Sequence, residues 1–126
     1  MERRRILAIE GNWRIRKLIR ANLEAVGLVV QEAVSKQHGL QHLGAERPDL
    51  ILLDLEMAEG DALALLRTLH SQTENQPVPI VVMSAEPLSR RLTTCNHIAG
   101  FLQKPFAVPA LLEQVRKVLD NPQIVD

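Results

Sequence analysis

The chain has little with which to cross-link, stack or attract by bulk charge. Its 126 residues include one cysteine, Cys95, so no internal disulfide can form, and the thiol reads as structural or surface-exposed with no redox task. Tyrosine is absent and the aromatic set is Trp13, Phe101 and Phe106. That excludes the stacking platforms of single-strand nucleic-acid binders and requires an aliphatic core. Charge of one sign is missing as well. Fifteen lysines and arginines balance 15 aspartates and glutamates, so no global field draws the chain to nucleic acid or an anionic membrane. The cluster Arg3, Arg4, Arg5 reads as a solvated lead-in to a first strand. No apolar run reaches the length of a signal peptide or a membrane span, and a reducing cytoplasm fits best. What remains is a chain of the common single-domain size, expected as one domain over residues 1–126 with its core at about 4–120.

Apolar periodicity supplies the organisation. Ile6 to Ile9 is a short apolar run ending at Glu10 and Gly11, the pattern of a buried strand entering a loop. Asn12 is placed to cap a helix over Trp13 to Ala25. In it Ile15, Leu18, Ile19, Leu23 and Val26 recur at spacings of three and four, and Gly27 stops it. Leu28 to Val30 reads as a second strand, and Ser35 to Leu43 as a weaker helix interrupted by Gly39 and ended near Gly44 and Pro48. Leu50 to Leu53 is apolar throughout, as a strand buried on both faces must be, and terminates in Asp54. Ala62 to Leu69 reads as a third helix and Ile80 to Met83 as a fourth strand ending at Ser84. Leu88 to Asn96 is a short polar helix candidate. Gly100 to Gln103 is a fifth strand ending at Lys104 and Pro105, and Pro109 to Leu119 a last helix. Strict alternation of strand and helix argues for an α/β fold: a doubly wound, five-stranded parallel sheet with helices on both faces.

Such a sheet has a predictable address for function, the carboxyl ends of its strands. There the sequence places Glu10, Asp54, Ser84 and Lys104, two acids, a hydroxyl and an ammonium. A carboxylate in that position can attack phosphorus if cations offset its repulsion from the phosphoryl oxygens. Lys104 supplies one cation, Ser84 a donor, and a divalent metal would supply the rest.

These residues and their flanks resemble the receiver domain of two-component response regulators, the family of CheY, over nearly the whole chain. The resemblance rests on Leu52-Leu53-Asp54-Leu55-Glu56-Met57, on Val82-Met83-Ser84-Ala85 and, most specifically, on Gly100-Phe101-Leu102-Gln103-Lys104-Pro105-Phe106. It implies a flavodoxin-like strand order of 2-1-3-4-5. Asp54 would be the phospho-acceptor, Ser84 the hydroxyl that moves onto the phosphoryl group, Lys104 its ammonium partner and Phe101 the aromatic switch. The implied partners are a histidine kinase or phosphotransfer protein and a downstream output domain or protein. The family's usual homodimer surface is the face of the fourth helix, fifth strand and fifth helix. Neither nucleic acid nor membrane is an expected partner, and no turnover is expected beyond the domain's own phosphorylation and dephosphorylation. Residues after the last helix, closed by Pro122, hold no output module, so the chain reads as a stand-alone receiver or as part of a longer protein.

The departures are equally specific. The family ends its first strand with two adjacent acids, the second a direct Mg²⁺ ligand, and here the pair reads Glu10-Gly11. The implied Mg²⁺ site, Asp54 with Glu10 and with the Glu56 carbonyl or side chain, is weakened by Gly11. Ala58 and Ala62 replace a usual proline and glycine and, with Gly60 nearby, alter loop shape more than chemistry. Glu56 and Glu86, each two residues beyond a site residue, border the phosphoryl position in this family. Arg14 and Arg16 open the first helix and read as an ordinary exposed helix face, although a guanidinium there could reach the vacant metal position. His38 and His42 lie one helical turn apart without a third ligand and read as a solvated face. Two functions stay open: a phosphorylatable receiver, favoured by the retained trio, and a pseudo-receiver interaction module that signals without phosphorylation. A flavin or hydrolytic enzyme is weaker, because Glu10-Gly11-Asn12-Trp13-Arg14 is no phosphate loop.

Overall fold

The computed structural model describes residues 3–57, 62–73, 75–90 and 98–120. Strands β1 (Arg5–Ile9), β2 (Val29–Ala33), β3 (Leu50–Asp54), β4 (Ile80–Ser84) and β5 (Ile98–Gln103) alternate with helices. Among the described residues these are α1 (Trp13–Ala25), α2 (Lys36–Ala45), α3 (Ala62–Gln72) and α4 (Val108–Leu119). All strand pairs are parallel, in the order β2-β1-β3-β4-β5. Part of the expected Leu88–Asn96 helix, together with Cys95, Ala58, Gly60 and Pro122, lies outside the described residues.

Strand alternation divides the core into two layers. Ile6, Ala8, Leu50, Leu52, Val81 and Met83 face α1 and α4, meeting Ile19, Leu23, Leu111, Val115 and Val118. Leu7, Ile9, Ile51, Leu53 and Val82 face the other way, toward Leu43 of α2 and Leu65, Leu66 and Leu69 of α3. Strands β3 and β4 are buried at every position because helices cover both faces, which is why their sequences are apolar without alternation. Each such leucine or isoleucine contributes about 2 kcal/mol when fully buried.

Several details differ from the sequence expectation, among them the ends of α3, which continues to Gln72, and of β5, which begins at Ile98. Strand β2 runs Val29–Ala33 rather than Leu28–Val30: it is an edge strand, covered less fully than the central ones, so the half-buried Gln31 and Glu32 can sit in it. Val26 does not turn inward. It is the C-cap of α1, 58% exposed, where Gly27 takes a φ of 91° that a side chain would oppose. Gly39 does not interrupt α2. A Cβ there would stand 2.6 Å from Cδ1 of the buried Ile9, so the glycine lets the helix approach β1. The cap at Asn12 forms as expected, its side chain accepting from the Arg14 and Ile15 amides at 2.9 and 3.4 Å.

Candidate functional site

Parallel pairing brings the carboxyl ends of β1, β3, β4 and β5 to one edge of the sheet. Backbone hydrogen bonds set the levels of the site residues. The Glu10 amide donates to the Ala33 carbonyl at 3.0 Å, the Leu55 amide to Met83 at 2.9 Å and the Lys104 amide to Ser84 at 2.8 Å. The buried polar or charged side chains among the described residues are Glu10, Asp54, Ser84 and Thr73, and all but Thr73 stand at this edge. Because burying such groups opposes folding, their concentration at one place marks a site.

One half of the site is a cation among acids. Lys104 Nζ lies 2.8 Å from Glu10 Oε1, 3.1 Å from Asp54 Oδ1 and 4.0 Å from Glu56 Oε1. Burial alone would lower the Lys104 pKa, but the ion-paired Glu10 and Asp54 carboxylates outweigh it and leave the ammonium raised above an ordinary lysine. Glu10 is pushed up, first by burial and next by the neighbouring Asp54 carboxylate, with Lys104 only partly offsetting the two. Its Oε1 has the Lys104 charge nearby without a properly directed hydrogen bond.

The other half is an anion among donors. Glu56 Oε2 accepts the Ser84 hydroxyl at 2.5 Å and the Ala85 amide at 2.7 Å, while Ser84 Oγ accepts the Glu86 amide at 3.0 Å. The Asp54 side chain also accepts the Glu56 amide at 2.9 Å, a turn that folds Glu56 back over the strand ends. Phe101 lies opposite Val82 on β5, half-buried against the α3-side layer.

The structure thus brings Glu10, Asp54, Glu56, Ser84 and Lys104 together, and places Arg14 and Arg16 outside that cluster. Arg16 does not enter a metal position: its Nη1 donates to the Glu10 and Gly11 carbonyls at 2.8 and 3.1 Å, and its Nε pairs with Glu32 at 3.1 Å. The Arg14 guanidinium lies 5.3 Å from the centre of the Trp13 ring. The loop after β1 leaves the Glu10 and Gly11 carbonyls in need of donors, and the helix position six residues beyond Glu10 supplies one. That clamp was missed in the sequence, since arginine on an exposed helix face carries no signal of it. The Ala85 amide was missed too, because backbone donors leave no trace in residue type. His38 and His42 rings stand 4.7 Å apart, and His38 Nδ1 accepts the Val34 amide at 3.2 Å.

Among the described residues, no three carboxylate, imidazole or thiol side chains form a ready metal cage. Mg²⁺ asks less than that, one or two carboxylates with water or phosphate oxygens for the remainder. Glu10 and Asp54 meet the requirement, and the unsatisfied Glu10 Oε1 is an oxygen such an ion would use, so the residues present fit a sparsely held Mg²⁺. Gly11 offers no carboxylate, but an added Cβ there would meet nothing within 4 Å.

A parallel sheet in this order, with its polar residues gathered at the strand ends, defines a doubly wound, flavodoxin-like domain. The chain belongs to the response regulator receiver domain family, whose model matches residues 6–116. It is 34% identical over 116 residues to the KDP operon transcriptional regulatory protein KdpE of Escherichia coli, covering 90% of this chain and 50% of that protein. To response regulator MprA of Mycobacterium ulcerans it is 29% identical over 123 residues, 97% of this chain and 53% of that one. The chain therefore spans about half the length of these curated relatives. In fold it is similar to the Vibrio cholerae chemotaxis protein CheY4, with a TM-score of 0.84 at 22% identity over 93% of this chain and 99% of that one. No helix among the described residues is long and apolar enough to cross a membrane.

Proposed function

We infer that this receiver domain accepts a phosphoryl group on Asp54 from a phosphohistidine of a histidine kinase or phosphotransfer protein. The observation that carries the reading is the Lys104 ammonium bridging Glu10 and Asp54 beside the Ser84 hydroxyl. The Asp54 carboxylate oxygen bonds to phosphorus as the phosphorus–nitrogen bond breaks, and the departing imidazole nitrogen takes up a proton. Lys104 holds the acceptor carboxylate in place and pairs with charge on the transferred group, and Ser84 donates to one of its oxygens. Mg²⁺, held by Glu10 and Asp54 with the Glu56 carbonyl or carboxylate as a further ligand, would offset the remaining negative charge. Turnover other than phosphorylation and dephosphorylation of Asp54 is not part of the reading.

Residues 4–120 act as one domain in this reading, in the cytoplasm where such kinases present their phosphohistidines. Phosphorylation shifts the balance between two packings, Ser84 and Phe101 moving together. The face of β5 and α4 then changes its preference for an output domain, a separate output protein or a second copy of the chain.

The test is to incubate the protein with Mg²⁺ and acetyl phosphate and read intact mass, with Trp13 fluorescence followed under beryllium fluoride. Trp13 is 58% exposed and opens α1 next to the Glu10–Gly11 loop. A mass gain of one phosphoryl group, lost in Asp54→Asn, is the expected result. A wild-type protein that gains nothing, while Gly11→Asp gains the group, would establish the rival pseudo-receiver. Mass gain retained in Asp54→Asn would move the acceptor elsewhere.

A further inference from the structure

The donors beside Asp54 are already in use. Two groups that a phosphoryl oxygen on Asp54 would need, the Ser84 hydroxyl and the Ala85 amide, both point at Oε2 of Glu56, at 2.5 and 2.7 Å. This is a carboxylate held by charge-assisted hydrogen bonds, the arrangement a protein builds for a bound oxyanion. The Glu56 amide is itself tied to Asp54 Oδ1, so the turn that positions the acceptor also aims the occupying anion. Lys104 Nζ, 4.0 Å from Glu56 Oε1, leans on Glu10 and Asp54 instead, so Glu56 is bound by donors more than by the cation. With its side chain 39% exposed, Glu56 has water on one side and a route by which to swing out.

We propose that Glu56 is a tethered competitor: its carboxylate occupies the oxyanion cradle of Ser84 and Ala85 in the resting protein and must leave before a phosphoryl group on Asp54 can be bound there. This assigns Glu56 an autoinhibitory role at the same site, and for its meaning it rests on Asp54 being the acceptor. The consequence is a raised threshold. An incoming oxyanion gains the cradle only by displacing two hydrogen bonds to a charged group, so weak phosphodonors are disfavoured relative to a docked partner. Unless Mg²⁺ holds it, the displaced carboxylate cannot remain nearby without repelling the new anion. Its departure therefore reshapes the loop after β3 as the hydroxyl of Ser84 changes partner.

The test does not require covalent chemistry. Inorganic phosphate is titrated, with Mg²⁺ present, into wild-type protein, Glu56→Ala and Glu56→Gln, and the Ala85 backbone amide is followed by NMR. Before any phosphate is added, the Ala85 amide proton is expected upfield in Glu56→Ala relative to wild type, because a hydrogen bond to a carboxylate has been removed. The phosphate midpoint read at Ala85 is then expected to fall at least about tenfold in Glu56→Ala, the cost of displacing one charge-assisted bond, with Glu56→Gln between the two. Glu56→Gln preserves shape and a single acceptor, so it carries the comparison should the alanine variant not fold. An unmoved Ala85 amide, equal midpoints, or no phosphate response in any of the three proteins overturns the proposal. Failure of the acceptor reading looks different: no phosphodonor then adds mass to wild type or to Glu56→Ala, while the phosphate midpoints still decide whether Glu56 competes.

Discussion

Two glutamates on neighbouring strands meet their arginine or lysine partners with opposite results. Glu32, on the edge strand β2, receives Arg20 Nη1 at 2.8 Å and Arg16 Nε at 3.1 Å, and Arg20 also pairs with Glu24. Its pKa is lowered, chiefly by the hydrogen bond from Arg20, against the opposing effect of partial burial. Glu10, at the end of β1, is 1% exposed, shares one ammonium with Asp54, and has its pKa raised by that burial in spite of Lys104. The edge cluster has two cations for two carboxylates and stabilises the fold modestly. The strand-end cluster has one cation for three acids, most of it out of water, and the surplus negative charge works against folding. A charge imbalance at a buried position that does not help stability calls for a functional cause, and an ion or a phosphoryl group arriving there supplies it.

Removing the single cation should widen the contrast most. Lys104→Met leaves Glu10 and Asp54 facing each other without compensation. Losing one partner of a buried pair costs about 3–5 kcal/mol, and proton uptake by the acids should reduce this to about 2–3 kcal/mol at pH 7. The equivalent change in the edge cluster, Arg20→Met, removes exposed pairs and should cost no more than about 1 kcal/mol. Urea unfolding of both variants measures the difference. Equal losses would mean that the strand-end cluster is no more strained than the surface one.

Filling the place of the missing ligand should act in the opposite sense. Gly11→Asp adds a fourth acid beside Lys104 where there is open space for its Cβ, so no steric cost accompanies the charge. Without Mg²⁺ the variant should lose about 1 kcal/mol to like-charge repulsion. With Mg²⁺ it should bind the ion at least about tenfold more tightly than wild type, since a further carboxylate joins the sparse set. Trp13 fluorescence during a Mg²⁺ titration reports the affinity. An unchanged midpoint would show that Glu10 and Asp54 do not face a metal position at all.

Much of this was legible in the sequence, for reasons particular residues make plain. Leu50 to Leu53 had to be a doubly covered strand because no polar residue interrupts it, and Asp54 then had to stand at its end. Trp13–Ala25 was bounded by a capping Asn12 and a stopping Gly27, and those signals act within a few residues. The convergence of Glu10, Asp54, Ser84 and Lys104 followed from topology alone. What escaped was set by partners distant in sequence. Edge strand β2 tolerates Gln31 and Glu32, so its apolar pattern stops before the strand does. Gly39 looked like a helix defect because Ile9, the atom it makes room for, lies 30 positions away. Likewise the contact of Glu56 with Ser84 spans 28 positions, and half of the pocket is a backbone amide that any residue could have supplied.

The smallest expected effect is the most direct test of the opposition between the two glutamates, because it asks for a sign rather than a size. Glu32 has a folded-state pKa below the ordinary value of about 4.3, so the stability it lends is present above that value and is lost as pH falls through the lowered one. Glu10 has a folded-state pKa above the ordinary value. Any stability linked to its protonation is complete below about pH 4.3 and is lost as pH rises through the raised value. Urea unfolding of wild type, Glu32→Gln and Glu10→Gln between about pH 3 and pH 7 should therefore give difference curves of opposite slope. The Glu32→Gln deficit should grow with pH to about 0.5–1 kcal/mol, small because the side chain is partly exposed and screened. Glu10→Gln should gain on wild type over the same range, since the amide never takes up the charge that burial opposes. Two curves of the same slope would mean that Lys104 compensates Glu10 as fully as the arginines compensate Glu32. The strand-end acids would then be an ordinary structural ion pair, and the argument from surplus charge to a phosphoryl or metal site would lose its footing.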